Sequence, residues 1–387
     1  MGQEAVGKNL VRLRKAKGMT QVQLAEAAGI SRGGYRNIEK GRALPRSGNI
    51  RALAQALDVK IKDLVVPPPE LKHVRFRALK RVSRLKRRDQ VLVEVGTWLR
   101  HYSNLEELLD ARQRHSLGLL WRDARRKRKD RAAALAEKAR VMFGLESREP
   151  VHDICGLLES EGIKVKSIDV ASDAFFGLSV GEEDGGPAVV VNTWSRIPVE
   201  HWIFSAAHEL GHLILHRPAY DVSQEQEEED QEQEANAFAS RFLMPDEVFA
   251  REWGETAGQA LVDRVLKVKR VFRVSWRTVL YRVSEMLPRH RRADLWKRFH
   301  AAYSLQSGQR LHKHDEPDAV GVDQFSDPRV VRGGEPASLE RHDFLGDRLS
   351  RLVRQAVEQG VITQARGAEI LGLDLKAMRS LTASWWE

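Results

Sequence analysis

Hydrophobic positions along the chain recur with helical spacing in some segments and as short apolar runs in others. Helical spacing predicts five short helices between residues 9 and 65, separated by glycine-containing turns. Short runs rich in β-branched residues predict strands at 163–168, 175–180 and 188–192. A long apolar stretch without proline, at 202–215, predicts a buried helix. We therefore expect a mainly α protein with a small β-sheet, of the α+β class.

The predicted buried helix contains His208, Glu209 and His212, in the order His-Glu-Leu-Gly-His. Two histidines four residues apart lie about 40° apart around a helix and about 6 Å along it, so both imidazoles can reach one metal ion. A glutamate next to the first histidine can then take a proton from a water molecule at the metal. Since polar side chains are costly to bury without partners, this helix is expected to hold zinc, with Glu209 as the catalytic base.

A catalytic zinc takes three protein ligands and a water molecule, so a third ligand is expected. Glu234 and His216 are the candidates, because Glu234 opens a second predicted helix that runs to Pro245. We prefer Glu234, since ligation by His216 would require three turns of one helix to converge on one point. Glu232 remains open as an alternative to Glu234, and His216 is expected to have a supporting role.

These motifs together resemble the ImmA/IrrE family of zinc metallopeptidases. The resemblance rests on His-Glu-Leu-Gly-His at 208–212 and on Glu-Ala-Asn-x-Phe-Ala with Leu-Met-Pro at 234–245, and it covers about residues 150–285. It implies a zincin-like fold of the gluzincin type, Zn²⁺ held by His208, His212 and a glutamate, and Glu209 as base. It also implies a specific protein substrate, a repressor or antitoxin-like regulator. Arg241 departs from the small or acidic residues common at its position.

The N-terminal helices carry the signals of a helix-turn-helix. Thr20 is predicted to be an N-cap, Gly29 and Ile30 to form the turn, and Ser31 to cap the next helix, which Gly41 ends. This stretch resembles the Xre/Cro family of phage-repressor-like DNA-binding domains over about 58 residues. The resemblance implies that double-stranded DNA is contacted by the following residues: Gln21, Ser31, Arg32, Gly33, Arg36 and Asn37. Arginine and asparagine have the paired groups that match guanine and adenine edges in the major groove.

Charge is unevenly distributed along the chain. The formal net charge is +10, and residues 71–90 contain nine Lys or Arg against one Asp. Basic excess indicates a polyanionic partner, although an ordinary solvated helix face would explain this run equally well. We interpret residues 67–149 as a basic helical connector, with helices at about 71–88, 91–102 and 122–143.

The remaining composition excludes several classes of protein. The chain contains one cysteine, Cys155, so an internal disulfide is impossible. No apolar run is long enough to span a bilayer, and the first residues lack the pattern of a secretion signal. A cytoplasmic protein without a membrane partner is therefore expected.

The C-terminal hundred residues are less informative. Residues 288–340 are predicted to be a helix followed by a polar linker, and 341–387 a helical region. Residues 362–373 resemble half of a helix-turn-helix, but a packing or partner-docking bundle is favoured. The predicted domains are thus 1–66, 67–149, 150–287, 288–340 and 341–387.

These features predict a DNA-binding zinc endopeptidase that regulates transcription or a stress response by cleaving one regulatory protein. Two alternatives remain open. The chain could be a helix-turn-helix regulator whose metal site is structural or sensory, or the antitoxin of a toxin-antitoxin pair. A homodimer is possible in each case, since helix-turn-helix proteins often bind paired half-sites.

Overall fold

The computed structural model describes residues 2–67, 69–78, 88–126, 130–146, 149–220, 228–312, 314–320 and 336–385. Two compact units divide the chain: residues 1–71 with 83–104, and residues 72–82 with 105–387. Helices dominate both units, and one small sheet lies in the second. This confirms the predicted class, mainly α with a small β-sheet. Among the described residues, no helix is long and apolar enough to cross a membrane.

The first unit begins with the five predicted helices: α1 (Gln3–Ala16), α2 (Gln21–Ala27), α3 (Arg32–Glu39), α4 (Ser47–Leu57) and α5 (Ile61–Val65). Thr20 caps α2 in a complete capping box with Gln23, and Ser31 accepts a hydrogen bond from the Gly34 amide at the start of α3. Gly29, at φ 64°, makes the turn between them, where a left-handed backbone favours glycine. Leu10, Leu24 and Tyr35 are fully buried in the core of these helices.

The sheet of the second unit has the strand order β1-β3-β4-β2. Its strands are β1 (Val74–Ala78), β2 (Lys164–Ile168), β3 (Phe175–Val180) and β4 (Ala188–Asn192). β1 and β4 run antiparallel to β3, whereas β2 runs parallel to β4. The three strands predicted at 163–192 are therefore present, and β4 is buried along its whole length.

Strand β1 corrects one expectation. The prediction of a basic helix over 71–88 is wrong for residues 74–78, which pair with β3 from Val74 opposite Val180 to Ala78 opposite Phe175. Residues 79–87 lie outside the described part of the chain. Alternation of Val74, Phe76 and Ala78 with two arginines is the two-residue period of a strand, and the charge of the segment concealed it.

The other connector helices are α6 (Arg88–Leu108), α7 (Gly118–Ala124) and α8 (Arg131–Met142). The helix predicted over 122–143 is thus divided, with residues 127–129 outside the described part. Around the sheet follow these helices: α9 (Ile154–Ser160), α10 (Val199–Leu215), α11 (Glu229–Leu243), α12 (Asp246–Glu255), α13 (Leu261–Phe272), α14 (Trp276–Glu285) and α15 (Arg289–Ser307). Helix α10 is buried over nearly its whole length and packs against both the sheet and α11.

The chain ends in three helices, α16 (Arg348–Glu358), α17 (Gln364–Leu371) and α18 (Leu375–Ser384), which confirms a helical C-terminal region. Part of the polar linker predicted within 288–340 packs against the preceding helices. The Trp276 amide donates to Glu316, and the Lys269 ammonium donates to the Pro317 carbonyl at 2.7 Å, so residues 316–317 are fixed on α13 and α14. Residues 321–335 lie outside the described part.

Candidate metal centre and nucleic-acid interface

The two histidines of α10 face each other across one turn. The Nε2 atoms of His208 and His212 lie 2.9 Å apart, and both side chains are fully buried. The helix brings them together because residues four apart share one face. Gly211 lets α11 approach this face, since a Cβ there would lie 3.1 Å from Cδ1 of Phe238.

Glu232, in the first turn of α11, completes the cluster. Its Oε1 lies 2.9 Å from Nε2 of His212, and its Oε2 lies 3.2 Å from Nε2 of His208. One ligand atom from each of these three residues lies within 4.8 Å of the others. The prediction of Glu234 as the third member of the cluster is therefore wrong. Helix α11 begins at Glu229, and its first turn places Glu232 next to the two histidines.

Glu234 has another position in the same network. Its carboxylate accepts hydrogen bonds from Arg131, and its Oε2 lies 2.9 Å from Nε2 of His216. His216 Nδ1 lies 2.9 Å from Nδ1 of His212. If Glu234 accepts the Nε2 proton of His216, then His216 Nδ1 accepts from His212, which leaves the Nε2 lone pair of His212 for the cluster. The expectation of a supporting position for His216 agrees with these contacts.

Asn236 completes the outer contacts of the pair. Its Oδ1 lies 2.9 Å from Nδ1 of His208. An amide oxygen can only accept, so this contact places the His208 proton on Nδ1 and leaves the Nε2 lone pair for a metal ion. Both histidines thus have one nitrogen fixed by an outer partner, as metal-ligating histidines almost always do.

The donor set fits a zinc ion. Atoms that share one tetrahedral zinc lie about 3.3 Å apart, given bonds of about 2.0 to 2.1 Å, and the separations here are 2.9 to 3.2 Å. Burial lowers the pKa of His212 well below its ordinary value. Burial alone would raise the pKa of Glu232, but the adjacent His208 and His212 side chains bring it well below its ordinary range. Neutral imidazole and ionised carboxylate are the forms that bind metals.

Glu209 lies beside this cluster, beneath strand β3. Its Oε2 accepts a hydrogen bond of 2.7 Å from the hydroxyl of Ser179, which in turn accepts one of 2.8 Å from the hydroxyl of Tyr220. The carboxylate also lies against the backbone of β3, since a Cβ at Gly177 would be 3.5 Å from Oε1 of Glu209. The glutamate is therefore held in one orientation from the side of the sheet.

A residue of the connector also reaches the cluster. Arg75, on β1, is almost fully buried and donates to Oε1 of Glu232 at 3.2 Å and to the side chain of Gln231 at 2.6 Å. Its positively charged guanidinium favours the ionised form of Glu232. The sequence predicted this arginine to lie in a basic helix, whose face would be either solvated or bound to a polyanion.

Of the predicted DNA-contact residues, Gln21 begins α2, and the other five lie at the end of the turn or on α3. Arg32, Gly33, Arg36 and Asn37 are all exposed on α3. Two predicted contacts have partners within the domain: the Gln21 amide donates to Glu39 at 3.2 Å, and the Ser31 hydroxyl caps α3. Glu39 also pairs with Arg14 at 2.7 Å, which links α1 to α3. The exposed face of α3 is thus polar and basic, while its opposite face contains the buried Tyr35 and Ile38.

Two family models match the segments in which these residues lie. Residues 158–284 match the IrrE N-terminal-like domain of the M78 peptidases, which contains the histidine pair, Glu209, Glu232 and Ser179. Residues 10–64 match the helix-turn-helix model, which contains α2 and α3. The chain therefore joins a helix-turn-helix DNA-binding domain to an IrrE-like domain.

Curated relatives match a short part of the chain. The uncharacterized HTH-type transcriptional regulator y4dJ of Sinorhizobium fredii is 40% identical over 65 residues, 17% of this chain and 84% of that protein. The immunity repressor protein of Bacillus phage phi105 is 38% identical over 60 residues, 16% of this chain. The cryptic phage CTXphi transcriptional repressor RstR of Vibrio cholerae is 37% identical over 59 residues, 15% of this chain. The chain covers only 42% and 53% of these two repressors.

Fold, site and similarity together define a DNA-binding regulator with a metallopeptidase-type domain. The chain belongs to the Xre-type helix-turn-helix transcriptional regulators and carries the IrrE-like domain of the ImmA/IrrE family.

Proposed function

We propose that this regulator is a zinc-dependent endopeptidase that binds double-stranded DNA and cleaves a specific repressor or antitoxin-like protein. The observation that carries the proposal is the cluster of the buried His208 and His212 with the partly buried Glu232, next to the buried Glu209 that follows His208 on the same helix. In place of Glu234, we assign Glu232 as the third ligand, and Glu234 as the outer partner that orients the histidines through His216.

The chain's own residues supply most of the proposed chemistry. When bound, zinc would polarise the scissile carbonyl and make the attacking water more acidic. Glu209 takes the proton of that water and delivers it to the leaving amine, the usual exchange for a carboxylate base. Ser179 donates to Oε2 of Glu209 at 2.7 Å and so holds the buried base in one orientation.

DNA binding is assigned to the N-terminal domain. We place α3 in the major groove, with Arg32, Arg36 and Asn37 at base edges or phosphates, as the second helix of a helix-turn-helix lies. The exposed positions of these side chains on one face of α3 support this assignment. Similarity to two phage repressors supports a role in transcription.

Glu209→Gln tests the peptidase proposal. The variant keeps the shape of the side chain and all three ligands, but it removes the base, so we expect zinc binding to persist and cleavage to fall about 10²- to 10⁴-fold. The measurement is quantitative proteomics of cells that express the wild type, Glu209→Gln or the exposed control Glu247→Gln. A full-length regulator should accumulate, and its fragments disappear, only with Glu209→Gln. If the wild type, Glu209→Gln and Glu247→Gln all bind zinc and give identical proteomes, proteolysis is refuted.

A regulator with a sensory metal is the alternative that the repressor relatives favour. In that case His208→Ala would change DNA binding or reporter output, whereas Glu209→Gln would leave both as in the wild type. An antitoxin would give a third result, in which deletion of the gene harms cells only when the neighbouring gene is present.

A further inference from the structure

The last helices of the chain repeat the local geometry of the N-terminal helix-turn-helix. Thr363 caps α17, Gly372 follows nine residues later, and Asp374 caps α18 two residues after that. Thr20, Gly29 and Ser31 have the same spacing around α2 and α3. Both glycines have a left-handed backbone, at φ 69° and 64°. The turn between α17 and α18 is therefore of the same kind as the turn between α2 and α3.

The hydrogen bonds of the two turns correspond one to one. The Leu373 amide donates to the Ala368 carbonyl at 2.8 Å, as Ile30 donates to Ala25 at 2.9 Å. The cap of the second helix also corresponds: Ala377 donates to the side chain of Asp374 at 2.7 Å, as Gly34 donates to Ser31 at 3.2 Å. These bonds fix the path of the backbone between the helices, so the turn between α17 and α18 follows the same path as the turn between α2 and α3.

The buried positions correspond as well. The fourth residue of the second helix is fully buried in both elements, Tyr35 in α3 and Met378 in α18. The fourth residue of the first helix is buried too, and in α17 it is Gly367. A Cβ at Gly367 would lie 2.9 Å from Cε of Met378 and 3.1 Å from Cγ1 of Val353. Glycine thus lets α16, α17 and α18 pack closely as a three-helix unit.

The exposed positions of α18 are those that read DNA in a helix-turn-helix. The first, second, fifth and sixth residues of α3 were predicted to contact DNA, and the same positions of α18 are Leu375, Lys376, Arg379 and Ser380. All four are exposed, and Leu375 is 51% exposed despite its apolar side chain. In the described part of the chain, Lys376 and Arg379 form no ion pair, so both are available to phosphates or bases. Leucine at the first position suits the methyl group of thymine.

We propose that α17 and α18 form a second helix-turn-helix that binds double-stranded DNA, with α18 in the major groove. This site is separate from the N-terminal domain and from the proposed peptidase activity. Lys376 and Arg379 contact phosphates or guanine, and Leu375 and Ser380 lie against base edges. The regulator then has two DNA-binding elements, one at each end of the chain.

The test compares full-length proteins by equilibrium DNA binding at several salt concentrations. Lys376→Ala/Arg379→Ala removes the two cations of α18, and Arg32→Ala/Arg36→Ala removes those of α3; a fourth protein combines all four substitutions. The matched control, Lys297→Ala/Arg298→Ala, removes one exposed lysine and one exposed arginine from α15. The probes are a 40-base-pair duplex of random sequence and fragments selected with the wild type. Circular dichroism and thermal melting verify that each protein is folded.

Each phosphate contact changes the slope of log K against log salt by about 0.9, so the α18 variant should lose about 1 to 2 units of slope. Its affinity should fall at least 10-fold relative to the α15 control. The α3 variant should retain salt-dependent binding that disappears in the combined variant.

Three results would overturn the proposal. The first is an α18 variant with the slope and affinity of the control while the α3 variant loses binding, which would leave DNA binding to the N-terminal domain alone. The second is a wild type that binds neither probe, which would also remove DNA binding from the proposed function. The third is an α18 variant that binds DNA normally but changes in molar mass by sedimentation, which would make the element a protein-docking surface.

Discussion

Glu232 and Glu234 lie two positions apart on α11. We predict that Glu232 is the third zinc ligand and that Glu234 orients the histidines through His216. Glu232→Ala removes the carboxylate that lies 2.9 Å from Nε2 of His212 and 3.2 Å from Nε2 of His208. Glu234→Ala removes a carboxylate that contacts His216 and Arg131 instead. Both variants lose one negative charge from the same helix turn, so charge alone cannot distinguish them.

The expected effects on zinc affinity differ in size. Loss of an outer partner of a metal ligand costs about 10- to 100-fold in affinity, or about 1.4 to 2.7 kcal/mol. Glu234→Ala should fall in this range, because it frees the His216 ring, which otherwise fixes the proton of His212. Glu232→Ala removes a ligand itself and leaves only two nitrogen donors, so its loss should exceed 100-fold.

The assay is competition for zinc between each purified protein and a chromophoric chelator at fixed pH and ionic strength. Glu247→Ala, an exposed glutamate of α12, is the matched control and should bind zinc as the wild type does. The reasoning is refuted if Glu234→Ala loses zinc more completely than Glu232→Ala while both remain folded by circular dichroism.

Three further predictions concern the surroundings of the site. Ser179→Ala should lower kcat about 10- to 100-fold without changing zinc affinity, since a hydrogen bond to a charged carboxylate contributes about 1.5 to 3 kcal/mol; equal loss of zinc would contradict a positioning role. Gly211→Ala should lower both Tm and zinc affinity by forcing Phe238 and α11 away from α10, at a cost of about 1 to 3 kcal/mol, whereas Gly254→Ala, with open space around it, should not. Burial raises the pKa of Glu159 from 4.5 to about 7, so its ionisation destabilises the fold as pH rises through that range. Between pH 5 and 8, Glu159→Gln should therefore lose less stability than the wild type, by up to about 3 kcal/mol in thermal melts, and parallel pH profiles would refute this.

Short-range sequence signals were sufficient to predict many of the helices and strands. Caps and glycines at Thr20, Gly29 and Ser31 placed α2 and α3 correctly, because the hydrogen bonds that begin and end a helix are made within a few residues. Apolar runs placed β2, β3 and β4 for a similar reason. His208 and His212 could be paired because one helix sets their distance, whichever way that helix packs.

The choice between Glu232 and Glu234 depended on which face of α11 is buried. Ala235, Phe238 and Phe242 are buried at helical spacing, and extending their face one turn back leads to 232. On a helix, Glu232 lies about 60° from Ala235 in one direction and Glu234 about 100° in the other. The spacing of the buried apolar residues thus favoured Glu232 over Glu234. It was missed because the helix was taken to begin at residue 234, five residues after its first residue in the structure.

Strand β1 and its Arg75 show a different kind of limit. Nothing within residues 71–90 specifies that this segment pairs with β3, which follows about a hundred residues later in the chain. The alternation of apolar and basic residues favours a strand but does not specify its partner strand, because pairing satisfies the backbone and packing selects the face. Only that pairing brings Arg75 within 3.2 Å of Glu232. A residue next to the proposed ligand set therefore comes from outside the matched IrrE-like segment of 158–284, which explains why neither local pattern nor the metal motif could identify it.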